Sequence, residues 1–222
     1  MSLHTFLIIS IFFFCVNSLV AQDNTSISIE SLPGKLEWIE QPENFAYESG
    51  ILKIRSGPET DMFIDPQGEY KVLNAPGIVF KPSGYFQLSA KVHVNFKSKY
   101  DAGVLMLYAN DTHWAKLCFE YSPQGNPMVV SVVTRNISDD ATGSVIDGSV
   151  VYLRVSGLRK AYVFHYSLDG KFWHFVRYFH IDTNEPLYAG FLSQSPTGEG
   201  CEAEFKDIVY TNKKLEDLRN GS

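Results

Sequence analysis

Cysteine is scarce in this chain. Three occur, Cys15, Cys118 and Cys201, and the first lies in an apolar N-terminal run. The two that remain make no disulfide framework, so a hydrophobic core must hold the fold. Cys118 falls mid-strand and Cys201 in a Gly-rich turn, and both read as unpaired thiols. No Cys/His cluster has the spacing of a zinc site. Runs of Lys and Arg are also missing, and the net charge is −6, which excludes nucleic acid and anionic membrane surfaces as partners. Past Ala21 no apolar stretch approaches the ~20 residues that span a bilayer. Helical periodicity is absent as well: no segment repeats its apolar residues at the spacing of a long amphipathic helix.

What is present is globular. Aromatics make up 14% and charged residues 20%, outside the range of disordered chains. Phe6–Val16 is almost purely apolar and is followed by Asn17-Ser18-Leu19-Val20-Ala21-Gln22. That pattern predicts a secretory signal over residues 1–21, cleaved after Ala21, and a secreted, periplasmic or extracellular protein. Residues 22–35 read as a flexible lead-in, 36–211 as one domain, and 212–222 as a charged tail, either a helical turn or disordered. Asn24, Asn110, Asn136 and Asn220 each begin an Asn-x-Ser/Thr sequon, a frequency that chance explains.

Period-two alternation runs through almost every apolar segment. Phe86, Leu88, Ala90, Val92, Val94 and Phe96 share one face of Tyr85–Phe96. In Trp114–Tyr121, Ala115, Leu117, Phe119 and Tyr121 point one way, and Trp114, Lys116, Cys118 and Glu120 the other. About a dozen such strands with closely spaced turn signals predict an all-β sandwich or barrel. Pro42-Glu43-Asn44 reads as a turn, Leu168-Asp169-Gly170 as a tight hairpin turn, and Asn136–Gly148 as a polar loop.

A series of short motifs then occurs in a fixed order. It runs from Trp38 and Asn44 through Thr60-Asp61, Tyr100-Asp101-Ala102-Gly103, Trp114-Ala115-Lys116 and Glu120. It continues with Ser131-Val132-Val133-Thr134, Ser138-Asp139, Ser167-Leu168-Asp169-Gly170, Trp173, Arg177 and Ser195-Pro196-Thr197-Gly198. The series resembles the "regulation of enolase" family of the concanavalin A-like lectin/glucanase superfamily, over nearly all of Leu36–Tyr210. The resemblance implies a jelly-roll β-sandwich of two curved antiparallel sheets. It implies little about activity, because fold does not carry function.

Glycoside hydrolysis needs two carboxylates roughly 5–5.5 or 6.5–9.5 Å apart. The Glu-x-Asp-x-x-Glu strand motif of glucanase relatives is absent. Glu59/Asp61 and Glu202/Glu204 share strand faces but sit at strand ends, where acids usually face water. Isolated histidines such as His113, His165, His174 and His180 lack a Ser, Cys or acid at a telling spacing. No catalytic residue is therefore assigned. Sugar binding asks for an aromatic platform and a few convergent polar groups. Trp114, Lys116, Glu120, Arg177 and Asp101 are the candidate ligand residues, on the concave sheet. The same charged row serves equally as a cross-strand ion-pair network. Asp101, Asp111 or Asp207 with backbone carbonyls would suit a calcium ion, but no dense acidic loop marks such a site, and no metal is assigned. The expectation is a lectin-like carbohydrate-binding domain without catalysis. The alternatives are an enzyme acting on a sugar or oxidised sugar, and a protein-interaction module.

Overall fold

The computed structural model describes residues 27–222, which contain strands, turns and loops and no helix. The expected signal segment and the first residues of the lead-in lie outside the described residues. In chain order the strands are β1 (Glu37–Glu40), β2 (Asn44–Glu48), β3 (Ile51–Ser56), β4 (Met62–Ile64), β5 (Lys71–Leu73), β6 (Gly77–Phe80), β7 (Tyr85–Val94) and β8 (Ala102–Asn110). They continue as β9 (His113–Tyr121), β10 (Pro127–Arg135), β11 (Ile137–Val145), β12 (Val150–Leu158), β13 (Tyr162–Ser167), β14 (His174–Phe179), β15 (Tyr188–Gln194) and β16 (Cys201–Thr211). Two seven-stranded antiparallel sheets stack face to face as a jelly-roll sandwich, the all-β class the alternation predicts. The first has the order β1-β6-β15-β8-β9-β10-β11, the second β14-β13-β12-β7-β16-β3-β2, and β4 and β5 form a separate hairpin.

Alternation decides the packing. The inner residues Leu88, Ala90 and Val92 of β7, Leu153 of β12 and Phe205 of β16 meet Leu105, Leu117, Phe119 and Phe191 of the first sheet in one core. The Phe191 and Phe205 rings touch across it at 5.0 Å. Each such side chain contributes about 1.5–3 kcal/mol on full burial. At Gly103 the two sheets lie close together. A Cβ there would stand 2.7 Å from Val92 Cγ1 and 3.0 Å from Val94 Cγ2.

The first sheet is apolar on its outer face too. Val104, Met106, Trp114, Cys118, Val130, Val132 and Leu192 form a second cluster, closed from above by Met62, Phe63, Leu73 and Ala75 of the hairpin region. Strands buried on both faces lose the clean alternation of half-buried ones, as in the continuous apolar run Ala102–Leu107. The hairpin is tied down where the Ile64 amide donates to Ser138 Oγ on β11 at 2.9 Å, and Thr60 forms a lone bridge to Ser195.

The structure departs from the sequence reading at several places. Residues 137–145 are a strand and not a loop; β11 is an edge strand whose polar side chains face water while its backbone pairs with β10. Asn44 opens β2 instead of closing a turn. The described part of the lead-in is packed: Ile29 and Leu32 are buried in the core. The tail is docked as well, with Leu215 buried. The turn at Leu168–Gly170 belongs to a longer connection between β13 and β14. There Asp169 Oδ1 accepts hydrogen bonds from Ser167 Oγ and from the Lys171 and Phe172 amides. Cys118 and Cys201 are both free and buried.

Candidate functional site

A cleft of about 710 Å³ opens between the hairpin and the outer face of the first sheet. Its floor comes from β9 and β10, where Lys116 pairs with Val132 and Cys118 with Val130 in register. Phe63, Tyr70 and Val72 of the hairpin region form one wall, and Tyr100, Pro196 and Thr197 form the rim on the other side.

Lys116 is 2% exposed. Its Nζ donates to Asp61 Oδ1 at 3.0 Å and to Gln194 Oε1 at 2.8 Å, and lies 5.6 Å from the centre of the Trp114 ring. Burial is the largest single influence and pushes the ammonium down, but the neighbouring acidic groups, Asp61 first, together outweigh it and the net direction is up. Lys116 is thus a fixed cation that ties β9 to the start of the hairpin and to β15. Gln194 continues the tie by donating from Nε2 to the Tyr100 carbonyl.

Glu120 lies on the same face of β9, buried, and its side chain makes no hydrogen bond among the described residues. Burial pushes its carboxyl up to about 8. Lys116 draws it down, and Asp61 and Asp140 add to the rise. At neutral pH it carries its proton and acts as a hydrogen-bond donor facing the cleft. Among the described residues the Glu59 and Asp140 carboxylates and the Tyr70 and Tyr100 hydroxyls also line the cleft with no protein partner. Glu59 and Tyr100 both hold left-handed backbone, φ 54° and 69°. Non-glycine residues in that region cost energy and collect at functional rims.

Of the five residues singled out from the sequence, two reach the cleft. Lys116 and Glu120 line it, as their shared strand face requires. Trp114 does not offer a stacking surface: it is fully buried beneath Lys116, and its indole Nε1 has no partner among the described residues. Arg177 lies on the other sheet. A bulge in β14 breaks the period-two pattern between Phe175 and Arg177, and the guanidinium reaches Asp139 of β11 at 3.0 Å, latching the two sheets at one edge. Asp101 is fully buried. It accepts from the Lys97 and Ser98 amides at 2.8 Å and from Ser195 Oγ at 2.6 Å, so it shapes the rim from behind. The acids considered for calcium stand apart in the fold. Asp101 and Asp111 stand at opposite ends of β8, and Asp207 sits in β16. Among the described residues no cluster of His, Cys, Asp or Glu is placed to hold a metal ion.

The sequence reading missed Tyr70, Tyr100, Gln194 and Asp140 as cleft residues. Asp61 stands in the sequence as half of an acidic pair and in the motif Thr60-Asp61, with nothing that links it to Lys116. The motifs Thr60-Asp61, Tyr100-Asp101, Ser138-Asp139 and Ser195-Pro196-Thr197-Gly198 did carry a signal. They are the segments that converge on this cleft or tie down its edges.

The family model for a protein of unknown function, DUF1349, matches residues 38–213. The chain belongs to that family. The match covers the sandwich and the cleft, and its description does not bear the enolase name that the motif series suggested. A search of curated proteins by sequence finds no match. Among solved structures, a functionally unknown protein from Saccharomyces cerevisiae is similar at 23% identity and TM-score 0.73, over 79% of this chain and 95% of that one. A xylan β-1,4-xylosidase from Bacillus halodurans C-125 is similar at 15% identity and TM-score 0.61, over 74% of this chain but only 33% of the enzyme. An alginate lyase from Klebsiella pneumoniae is similar at 10% identity and TM-score 0.51, over 76% and 84%. At these identities the likeness concerns the fold.

Proposed function

We propose that this DUF1349 member binds a neutral saccharide in the cleft under the β4–β5 hairpin. One observation carries the reading: aromatic rings and unpartnered hydrogen-bonding groups converge on the same enclosed space. Phe63 and Tyr70 stack at 5.9 Å and line the cleft together with Tyr100, a surface suited to the apolar faces of pyranose rings. The protonated Glu120 donates, and Glu59 and Asp140 accept. The charge balance selects among sugars. The cleft's lysine is already paired with Asp61, and the unpaired charges are carboxylates, so polyuronates are repelled. Proteins that share this fold include a xylan β-1,4-xylosidase and an alginate lyase, which supports a saccharide reading, and the apolar run Phe6–Val16 suits export to where such polymers lie.

The experiment is a glycan array of neutral and acidic oligosaccharides, followed by calorimetry with xylohexaose and cellohexaose. Wild type is expected to bind neutral glycans, and Tyr100→Ala and Tyr70→Ala to lose at least tenfold in affinity at an unchanged melting temperature. Wild type binding no neutral glycan, or binding equally well without either ring, would overturn the proposal.

A further inference from the structure

The outer face of the second sheet carries a polar cluster that the cleft does not use. Arg154 of β12 and His165 of β13 are cross-strand partners, and Ser89 of β7 faces Arg154 on the other side. Arg154 is 6% exposed, while His165 and Ser156 are fully buried. Such groups are normally satisfied when buried. Here Arg154 Nε, His165 Nδ1 and Ser156 Oγ have no partner among the described residues.

Residues 213–222 cover this cluster, and they do so mostly through backbone. The Gly221 carbonyl accepts from Arg154 Nη2 at 2.6 Å. The Leu218 carbonyl bonds His165 Nε2 at 2.9 Å, and the Lys213 carbonyl accepts from Gln87 Nε2 at 3.3 Å. The tail therefore presents a row of neutral oxygens to a cationic surface. No carboxylate pairs with Arg154 among the described residues. Its guanidinium lies 4.1 Å from the centre of the Trp173 ring, and burial pushes it down to about 10. Lys91 and Lys206 extend the basic strip on the same face, and Lys91 Nζ stands 5.5 Å from the Tyr152 ring. A buried guanidinium without an acid is half of a strong pair: it matches a carboxylate bidentately. Burial also lowers the His165 imidazole to about 4, so it is neutral. With Nε2–H donating to Leu218, Nδ1 is left as an acceptor that calls for a hydroxyl.

We infer that the outer face of the second sheet is a second ligand site, for a sugar acid. The site takes a carboxylate at Arg154 and hydroxyls at His165 and Ser156, and the tail closes it with the Gly221 and Leu218 carbonyls, which reach only Arg154 Nη2 and His165 Nε2. The carbonyls of the tail satisfy only part of the cluster, and a ligand bearing both a charge and hydroxyls satisfies more. Binding then requires the tail to leave, so the site is latent in the closed form. This proposal does not depend on the cleft, whose acidic lining selects the opposite kind of sugar.

Gly221 offers the test in the full chain. It holds φ 73°, and a Cβ there would stand 2.1 Å from Arg154 Nη2 and 2.9 Å from Trp173 Cβ. Gly221→Val therefore lifts the tail without touching the sheet, and Leu215→Ser does so from the other anchor. Calorimetric titration with glucuronate, glucose and sulfate is made on wild type, on both tail variants, and on each combined with Arg154→Gln. Glucuronate is expected to bind at least tenfold more tightly once the tail is lifted, glucose not at all, and Arg154→Gln to abolish the gain. Both tail variants folding with no gain for glucuronate would overturn the proposal, as would a gain that survives Arg154→Gln. Sulfate binding as tightly as glucuronate would mark a general anion site and overturn the sugar-acid assignment.

Discussion

Lys116 shows what one residue can hold together. A lysine at 2% exposure persists only because Asp61 and Gln194 take two of its three protons. Removing one partner of such a pair leaves a charge without water or counter-ion, at a cost of about 3–5 kcal/mol. Asp61→Ala should therefore destabilise by about 3 kcal/mol in urea titrations. The double change Asp61→Ala with Lys116→Met should recover most of that loss, because it removes the stranded cation; equal losses in the single and double variants would refute the pairing. Glu120 makes a different prediction. Its carboxyl titrates near 8 in the folded protein against an ordinary 4.5, so the folded state binds the extra proton between those values. Its contribution is complete below about pH 4.5 and is lost as pH rises through about 8. Melting temperature should fall from pH 5 to pH 9, and Glu120→Gln should flatten that slope. Period two placed Lys116 and Glu120 on one face from the sequence alone, because that rule is local. Nothing local pointed to Asp61, 55 residues away, or to a tryptophan sealed beneath the lysine.

At the scale of elements, the hairpin β4–β5 makes the cleft, and one of the contacts that seat it is a single hydrogen bond to β11. The Ile64 amide donates to Ser138 Oγ. Ser138→Ala removes the acceptor at a cost of about 1 kcal/mol. The Ile64 amide should then exchange roughly fivefold faster, while amides of β7 keep their protection; unchanged exchange at Ile64 would show that apolar contacts alone seat the hairpin. A second element-scale test is the contact of β8 with β7. Gly103→Ala forces a methyl against Val92 and Val94 and should cost about 1–3 kcal/mol in thermal melts, as overpacking does. The sandwich strands were legible wherever one face is apolar and the other polar. β11 was not, because an edge strand needs no apolar face; its signal is the backbone ladder, which side-chain patterns do not report. Arg177 fell away from the cleft for a different reason: alternation along a strand does not say which sheet the strand joins, and β14 joins the second.

The whole molecule is two sheets with one shared core and two unlike outer faces. One outer face is roofed by the hairpin, the other by the tail. Lead-in and tail looked loose because they are short and polar, yet Ile29, Leu32 and Leu215 anchor them. The two thiols report separately on these layers. Cys118 is sealed beneath the hairpin in the outer cluster, and Cys201 lies in the core between the sheets. Burial pushes both thiols up, so neither forms a reactive thiolate in the closed protein, and each labels only when its cover opens. Lifting a two-stranded hairpin exposes far less apolar surface than separating two seven-stranded sheets. Cys118 should therefore react with iodoacetamide at least tenfold faster than Cys201 in native buffer, as read by peptide mass mapping. Ser138→Ala should speed Cys118 alone. In rising urea the Cys201 rate should converge on global unfolding, while the Cys118 rate flattens at low urea, where hairpin opening dominates. Equal rates at every urea concentration would mean that the hairpin and the sandwich open as one cooperative unit. The cleft would then be a rigid pocket, and its ligand would have to enter past the Tyr70–Tyr100 rim without the roof moving.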